Sequence, residues 1–348
     1  MSGEHVKAAK RAGLRYTPDS LRGLRREVDG DGFVYFAVNG HRISNERKLR
    51  RLRSLAIPPA WTDVWICPHT NGHLQVTARD ARGRKQYRYH PKYRAIRDET
   101  KFDRMHDFSR VLPAARRAVE GHLGLPGLPR EKVLATVVWL LERTLIRVGN
   151  IEYARENESY GLTTFEDRHV EVRGQKVTFT FTGKSGIEHS LSFADARLAR
   201  IIQRCQTLPG EHLFQYVDED GNRQDVDSGA VNEYLQRIAG PGITAKDFRT
   251  WAGTMLAARA LSEIGPAELE RERKKNVLAA IDRVAERLGN TRAVCRQYYI
   301  HPVVLHAYDG GYVVSMRTDR PPERAGGVLC LRDEEISVLR FIAEHEIR

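Results

Sequence analysis

Cysteine is scarce in this chain: four in 348 residues (Cys67, Cys205, Cys295, Cys330), far apart and without a Cys-x-x-Cys pair. That excludes a disulfide framework and points to a reducing compartment, the cytoplasm. Long apolar runs are missing as well. The longest, Val133 to Leu141, is broken by Ala135-Thr136 and falls well below the ~20 residues that span a bilayer. Met1 to Arg15 is polar and basic without an apolar stretch, so no secretory leader is expected. No internal repeat or low-complexity tract is visible, which removes solenoids and arrays from consideration.

Acidic charge is in deficit. Lysine and arginine total 57 against 45 acidic residues, a formal net charge of +12 and a pI near 9.6. Such a surplus favours a polyanion partner, either nucleic acid or an anionic membrane. Its distribution is uneven: Arg79 to Arg97 holds eight lysines and arginines against one acid, Asp80, whereas Asp333 to Glu346 is acidic. A charge run alone is equally a solvated face. The apolar fraction of 41% supports a sizeable core, and the length suggests two domains.

The first ninety residues read mainly as strands. Phe33 to Val38 runs into the turn signal Asn39-Gly40, Asp63 to Ile66 and Leu74 to Thr77 flank Thr70-Asn71-Gly72, and Lys85 to Tyr89 follows another turn. A short basic helix is expected from Asn45 to Leu55, closed by Pro58-Pro59. The polar stretch Lys92 to Lys101 is the candidate linker, after which the period becomes helical. Helices are expected near 130–148, 194–206, 229–239, 245–264, 273–288 and 292–300. One hairpin interrupts them: Val177, Phe179 and Phe181 alternate with threonines, and Ile187, Leu191 and Phe193 alternate after Gly183-Lys184-Ser185-Gly186.

Cations stand in unexpected places. Val133, Val137, Leu140, Thr144 and Arg147 share one helical face. Arg147 therefore extends a core-facing stripe and needs an anion or acceptor; the plainer readings are that it snorkels to solvent or pairs with a core carboxylate. Arg249 lies in the second turn of a helix that Thr244 and Asp247 can cap. Ala252 and Gly253 leave its face open to another backbone, or simply to tight helix packing. Lys184 sits on the hairpin tip. Gly183-Lys184-Ser185 is no nucleotide-binding loop, since position 178 is Thr and the segment lies between strands. Asn290 and Tyr299 flank a helix break at which Thr291 can cap the next helix, and Tyr298-Tyr299 precedes Ile300-His301-Pro302. Adjacent tyrosines on a helix point apart, so at most one serves a given site. Cys67, His69, His73 and His90 have a spacing that could suit zinc, but Pro68 and Asn71-Gly72 already explain that loop as a turn. No metal is assigned.

In chain order, Arg147, Lys184 on a hairpin, Arg249, Asn290 and Tyr299 form a pattern that resembles the type IB DNA topoisomerases, particularly the compact poxvirus and bacterial group. The surrounding segments resemble the family too. These are Ile146-Arg147-Val148-Gly149-Asn150, Glu156 to Leu162, Phe181-Thr182-Gly183-Lys184, Lys246-Asp247-Phe248-Arg249-Thr250, and Cys295-Arg296-Gln297-Tyr298-Tyr299 with Ile300-His301-Pro302. Upstream, Ile57 to Trp65 and Gly83 to Tyr89 resemble its β-rich N-terminal domain, so the likeness spans about residues 30 to 308. Many members carry His where this chain has Asn290.

The resemblance implies an α+β protein in three parts. Residues 1–95 would be a small β-rich DNA-binding domain. Residues 101–310 would be a larger, mostly helical catalytic domain with a hairpin insertion, the two forming a C-shaped clamp on DNA. Residues 311–348 would be a tail without an assigned role. Tyr299 would be the nucleophile and Arg147 with Arg249 the guanidinium clamp on the transition state. Lys184 would be the general acid and Asn290 a neutral donor to a phosphate oxygen. Gln86, Tyr87 and Tyr89 match residues that touch bases, while Arg79, Arg82, Arg84, Lys85, Arg88 and Lys246 would hold the DNA, chiefly through phosphates. In an ideal strand Tyr87 and Tyr89 share one face and Gln86 the other. The expected partner is duplex DNA on the nucleoid, bound by a monomer without cofactor, metal, nucleotide or membrane. A site-specific tyrosine recombinase shares this chemistry, but usually places His where Lys246 stands and has a helical N-terminal domain. A DNA-binding protein that has lost activity is the non-enzymatic alternative.

Overall fold

Alternating apolar and polar residues in the first hundred positions form one antiparallel sheet in a computed structural model that describes residues 2–30, 32–81, 83, 85–218, 220–316 and 331–346. The chain divides into two compact units, Met1–Asp103 and Arg104–Arg348. In the first, α1 (Ser2–Arg11) precedes β1 (Leu24–Asp29), β2 (Gly32–Phe36), α2 (Glu46–Ser54), β3 (Thr62–Ile66), β4 (Leu74–Arg79) and β5 (Lys85–Tyr89), with strand order β2-β1-β3-β4-β5. Val64, Ile66, Val76 and Ala78 point to one face, where Leu52 of α2 closes a small core with Tyr35, Ile43 and Ile57. Asn45 caps α2 through its side chain, accepting from the Lys48 N–H at 3.1 Å.

Strand β1 has no apolar alternation to announce it: Leu-Arg-Arg-Glu-Val-Asp pairs with β2 across a turn at Gly30, whose φ is +57°. The turn at Asn39-Gly40 leads only to an isolated bridge, Phe36 to Arg42, rather than a further full strand. The stretch 92–101, read as a linker, is helical throughout. It belongs to α3 (Pro91–Leu123), the longest helix described. Lysine, arginine and glutamate are good helix formers, and Tyr93 and Ile96 pack this first part against Ala8, Ala9 and Leu14.

The second unit is mostly helical. After α3 come α4 (Arg130–Thr144) and α5 (Ile151–Asn157), then the sheet β6 (Val170–Arg173), β7 (Lys176–Thr182) and β8 (Glu188–Ala194). Next are α6 (Ala196–Gln206), the short pair β9 (Gln215–Val217) and β10 (Arg223–Asp225), then α7 (Ser228–Ala239), α8 (Ala245–Ile264), α9 (Glu270–Leu288), α10 (Arg292–Tyr298), α11 (Pro302–Asp309) and α12 (Asp333–Glu346). The core runs through α4, α8 and α9, and Val338, Phe341 and Ile342 bring α12 into it. Beside them Glu335 is buried against Arg116, 2.7 Å away, and accepts from Trp251 Nε1 at 3.1 Å. No helix among the described residues is long and apolar enough to cross a membrane.

Helix α4 stops sooner than its apolar stripe suggested. Thr144 is the last helical residue, and Leu145 turns left-handed at φ +61°, with its N–H on the Leu141 carbonyl. Arg147 therefore lies beyond the helix, in a segment that is neither helix nor strand. It is held there because the Arg147 and Val148 carbonyls accept from Leu162 and Thr163 at 2.9 and 2.6 Å. The crossing is so close that a Cβ on Gly161 would sit 2.6 Å from the Arg147 carbonyl oxygen.

Candidate active site

Two arginines form the base of the site, and neither pairs with a carboxylate among the described residues. Arg249 on α8 is 5% exposed. Its guanidinium donates to the Leu145 carbonyl and, at 2.8 Å, to the Leu288 carbonyl. Arg147 donates to the Gly289 carbonyl at 3.0 Å and to Asn290 Oδ1. These acceptors cluster at the C-terminal ends of α4 and α9, where unsatisfied carbonyls concentrate partial negative charge. Burial, then the neighbouring Arg249, lowers Arg147 to about 10, still protonated at neutral pH. Burial lowers Arg249 too, partly offset by Tyr299.

Tyr299 follows α10 directly, with its N–H on the Cys295 carbonyl at 2.9 Å. Thr291 caps that short helix, accepting from the Val294 N–H at 3.3 Å. The Tyr299 ring lies 5.3 Å from the Arg249 guanidinium carbon. What approaches the open face of α8 is the tyrosine's own backbone: a Cβ on Gly253 would sit 2.5 Å from the Tyr299 carbonyl oxygen. The α8 start is fixed as its sequence suggested, since Asp247 accepts from the Thr244 N–H at 2.7 Å and its hydroxyl at 2.8 Å.

Arg147, Lys184, Lys246, Arg249 and Tyr299 all line one cleft of 330 Å³, with Asn150, Ser159 and Tyr160 among its other walls. Lys184 stands exposed in a single 3₁₀ turn, Lys184–Gly186, between β7 and β8. Asn290 is not a wall of the cleft. It sits behind Arg147, its Oδ1 engaged by the guanidinium and its Nδ2 buried without a hydrogen-bond partner among the described residues. Arg249 Nε is likewise buried and unpartnered. The site thus combines a phenol, two guanidiniums with neutral partners, two lysines and spare N–H donors, a set suited to an anion bearing several oxygens.

Sequence reasoning missed Tyr160, Ser159 and Asn150 as walls, and the carbonyls of Leu145, Leu288 and Gly289 as partners of the arginines. Backbone acceptors carry no side-chain signature. The glycines at 149 and 161, which let the two segments cross, were the available clue.

In the first unit the expected DNA-contact residues divide by strand face. Cross-strand pairs Thr77–Tyr87 and Arg79–Lys85 lie on one face, and Ala78–Gln86 and Val76–Arg88 on the other. Tyr87 is 47% exposed, stacked parallel to Tyr89 at 6.2 Å, with Lys85 Nζ 5.5 Å from its ring centroid. Lys85 also pairs with Asp19 at 2.6 Å, and Arg79 donates to the Gly83 carbonyl at 2.8 Å. Gln86 instead donates to Asp80 at 2.9 Å. Arg88 donates to the Leu55 carbonyl at 2.8 Å and lies over Trp61. The structure therefore gathers Arg79, Lys85, Tyr87 and Tyr89 and sets Gln86 and Arg88 apart. Arg82 and Arg84 lie outside the described residues.

Two family models match the chain: "Eukaryotic DNA topoisomerase I, catalytic core" over residues 90–311, and "Bacterial DNA topoisomerase IB, N-terminal domain" over residues 32–80. The DNA topoisomerase 1B of Acanthamoeba polyphaga mimivirus is 30% identical over 310 residues, covering 86% of this chain and 92% of the relative. DNA topoisomerase 1B of vaccinia virus (strain Copenhagen) is 24% identical over 268 residues, covering 73% and 80%. DNA topoisomerase 1 of rabbit fibroma virus is 25% identical over 276 residues, covering 73% and 79%.

Proposed function

This chain belongs to the type IB DNA topoisomerases, and on that premise we propose that it relaxes supercoiled duplex DNA as a monomer, through a transient break in one strand with Tyr299 as nucleophile. The Tyr299 oxygen bonds to phosphorus, the bond to the 5′-oxygen breaks, and a 3′-phosphotyrosyl link holds the cut end while the other end swivels. Lys184 gives its proton to the departing 5′-oxygen, and the phenol proton leaves to solvent. Reversal reseals the strand. One phosphodiester replaces another at each step, so bond energy is retained and neither ATP nor an obligatory metal is called for.

The observation that carries this reading is the cleft: one phenol, both guanidiniums and the hairpin lysine line the same 330 Å³. A phosphorus with five oxygens gathers negative charge on its equatorial oxygens, and fixed donors around them lower the barrier most. Arg147 and Arg249 supply those donors while retaining full charge, because carbonyls rather than carboxylates hold them. Asn290 fixes Arg147 and keeps one spare donor. Lys246 lies at the cleft wall, within reach of a flanking phosphate. In the first unit, Arg79, Lys85, Tyr87 and Tyr89 supply charge and stacking surface for the duplex.

The test is denaturing electrophoresis of the protein mixed with end-labelled duplex DNA. Wild type should yield a covalent species attached to the 3′ end of the cut strand, and Tyr299→Phe should yield none while still binding DNA. A normal adduct in Tyr299→Phe would overturn the assignment and move the nucleophile to Tyr298. Relaxation that requires two copies of a specific DNA site would favour a recombinase instead.

A further inference from the structure

His189 has no part in the scheme above, yet its ring occupies the joint between the lysine hairpin and the arginine cradle. It lies on β8 opposite Phe181 and stacks on that ring, centroids 5.0 Å apart and planes 21° from parallel. Two glycines make room for it. A Cβ on Gly183 would lie 2.7 Å from the imidazole, and one on Gly289 would lie 2.5 Å from its Cε1. Each of these glycines is the immediate neighbour of a site residue: Gly183 precedes Lys184, and Gly289 precedes Asn290. The Gly289 carbonyl also accepts from Arg147. The ring further shares a 20 Å³ cavity with Arg147 and Arg249. Burial first, then those two guanidiniums, hold its pKa below the usual histidine value, so it adds no third positive charge behind them at neutral pH.

We propose that His189 is a positioning residue: its ring is the spacer that sets the distance between the Lys184 hairpin and the turn carrying Asn290, and so places Lys184 against the leaving oxygen. The physical basis is the absence of slack. A flat ring packed between two backbones that lack side chains sets their separation, since a Cβ on either glycine would collide with it. The hairpin tip it bears on is closed by Gly183 N–H to Ile187 O at 2.7 Å and Gly186 N–H to Gly183 O at 3.1 Å, and the preceding segment holds its other side through Tyr160 N–H to Thr182 O at 2.8 Å and Ser159 Oγ to Gly183 O at 3.3 Å, so the ring is what bears on it from the Gly289 side. Without the ring, the tip can settle inward or swing out, and Lys184 moves with it.

The inference rests on Lys184 acting as the acid, so the experiment tests the two separately. Single-turnover cleavage is measured for wild type, His189→Ala, Lys184→Ala and the double variant. Each is tried on duplexes whose leaving group is either the ordinary 5′-oxygen or a 5′-sulfur, which departs as a thiolate without needing a proton. His189→Ala should slow the oxygen reaction on the order of 10–100-fold, the scale of a ~1 Å misplacement, and much less the sulfur reaction, with DNA affinity unchanged. The double variant should be no slower than Lys184→Ala. Equal losses on both leaving groups, or losses that multiply in the double variant, overturn the proposal. If sulfur fails to relieve Lys184→Ala, the acid role of Lys184 falls, and the double variant alone then decides whether His189 acts through it. Should His189→Ala not fold, His189→Gln, which keeps most of the ring's bulk, is taken through the same comparison.

Discussion

Gly253→Ala is the smallest change that should separate the nucleophile from its arginine. Gly253 lies one turn after Arg249 on α8, and an alanine Cβ there would stand 2.5 Å from the Tyr299 carbonyl oxygen and 3.0 Å from its Cβ. Ordinary van der Waals separation is about 3.5 Å, so α8 and the tyrosine segment must part by roughly 1 Å. That movement falls on the 5.3 Å approach of Arg249 to the Tyr299 ring and on the backbone ties through Thr254, whose Oγ1 accepts from the His301 N–H at 3.0 Å. A displacement of that size costs roughly 100-fold in rate when reacting groups depend on alignment. Stability makes the test sharper. Helix propensity alone favours alanine over glycine by about 1 kcal/mol, whereas overpacking costs about 1–3 kcal/mol; close approach therefore predicts a lower melting temperature where propensity predicts a higher one. The assay is single-turnover cleavage of an end-labelled duplex, with DNA binding and melting temperature measured beside it. Wild-type cleavage together with an equal or higher melting temperature would refute the argument.

Three further outcomes follow from the geometry. Asn290→Ala should lower the cleavage rate on the order of 100–1,000-fold, as loss of a fixed donor does, and Asn290→Asp should be slower still, because it sets a carboxylate beside Arg147; near-wild-type cleavage by Asn290→Ala would remove the donor role, and Asn290→Asp as fast as Asn290→Ala would remove the charge argument. Burial would raise the Glu335 carboxyl, but Arg116 holds it below its ordinary value of 4.5. Its contribution to stability is therefore fully present above that value and fades as pH falls through the lower folded value. Glu335→Gln should cost up to about 3 kcal/mol at neutral pH, moderated because Glu142 also reaches Arg116 at 2.7 Å, and the melting-temperature gap to wild type should narrow in acid; a gap equal at pH 7 and in strong acid would contradict this. Finally, Tyr87→Ala should weaken DNA binding with little change in melting temperature, whereas Arg88→Ala should destabilise the first unit, since Arg88 is tied to Leu55 and Trp61. The reverse pattern in paired binding and melting measurements would show that the strand faces have been assigned the wrong way round.

Much of the fold was legible where a local rule governs. Threonines alternating with Val177, Phe179 and Phe181 gave the hairpin, and Thr244, Asp247 and Thr291 marked helix starts that the structure keeps. The misses have common causes. Strand β1 is charged because Arg26 is its one buried residue, with Leu24 half-buried beside the core, so its period is hidden in the sequence. Helix α3 begins in a stretch whose polarity suggested a linker, although polarity is no bar to a helix that buries Tyr93 on one side. Helix α4 keeps its apolar stripe up to Thr144 and then turns at Leu145. Nothing in a 3.6-residue period foretells a left-handed leucine held by the segment that crosses after it.

The arginines show why the site itself was only partly legible. Sequence spacing placed Arg147 on a buried face and required an anion or acceptor for it, with a core carboxylate as one candidate. Had a carboxylate filled that place, the pair would have been close to neutral and of little use to a phosphate. The acceptors instead are the carbonyls of Leu288 and Gly289 at the end of α9 and of Leu145 just after α4. A helix C-terminus offers roughly half a negative charge, enough to ease burial of a guanidinium without cancelling it. Two helices that end at one point can thus keep two cations desolvated, fixed and still charged, which is the condition for their full effect on a five-coordinate phosphorus. Because those acceptors are main-chain atoms, the arrangement can be read from residue types only by its consequences: glycines at 149, 161 and 253 where backbones meet, and arginines where an apolar face should continue.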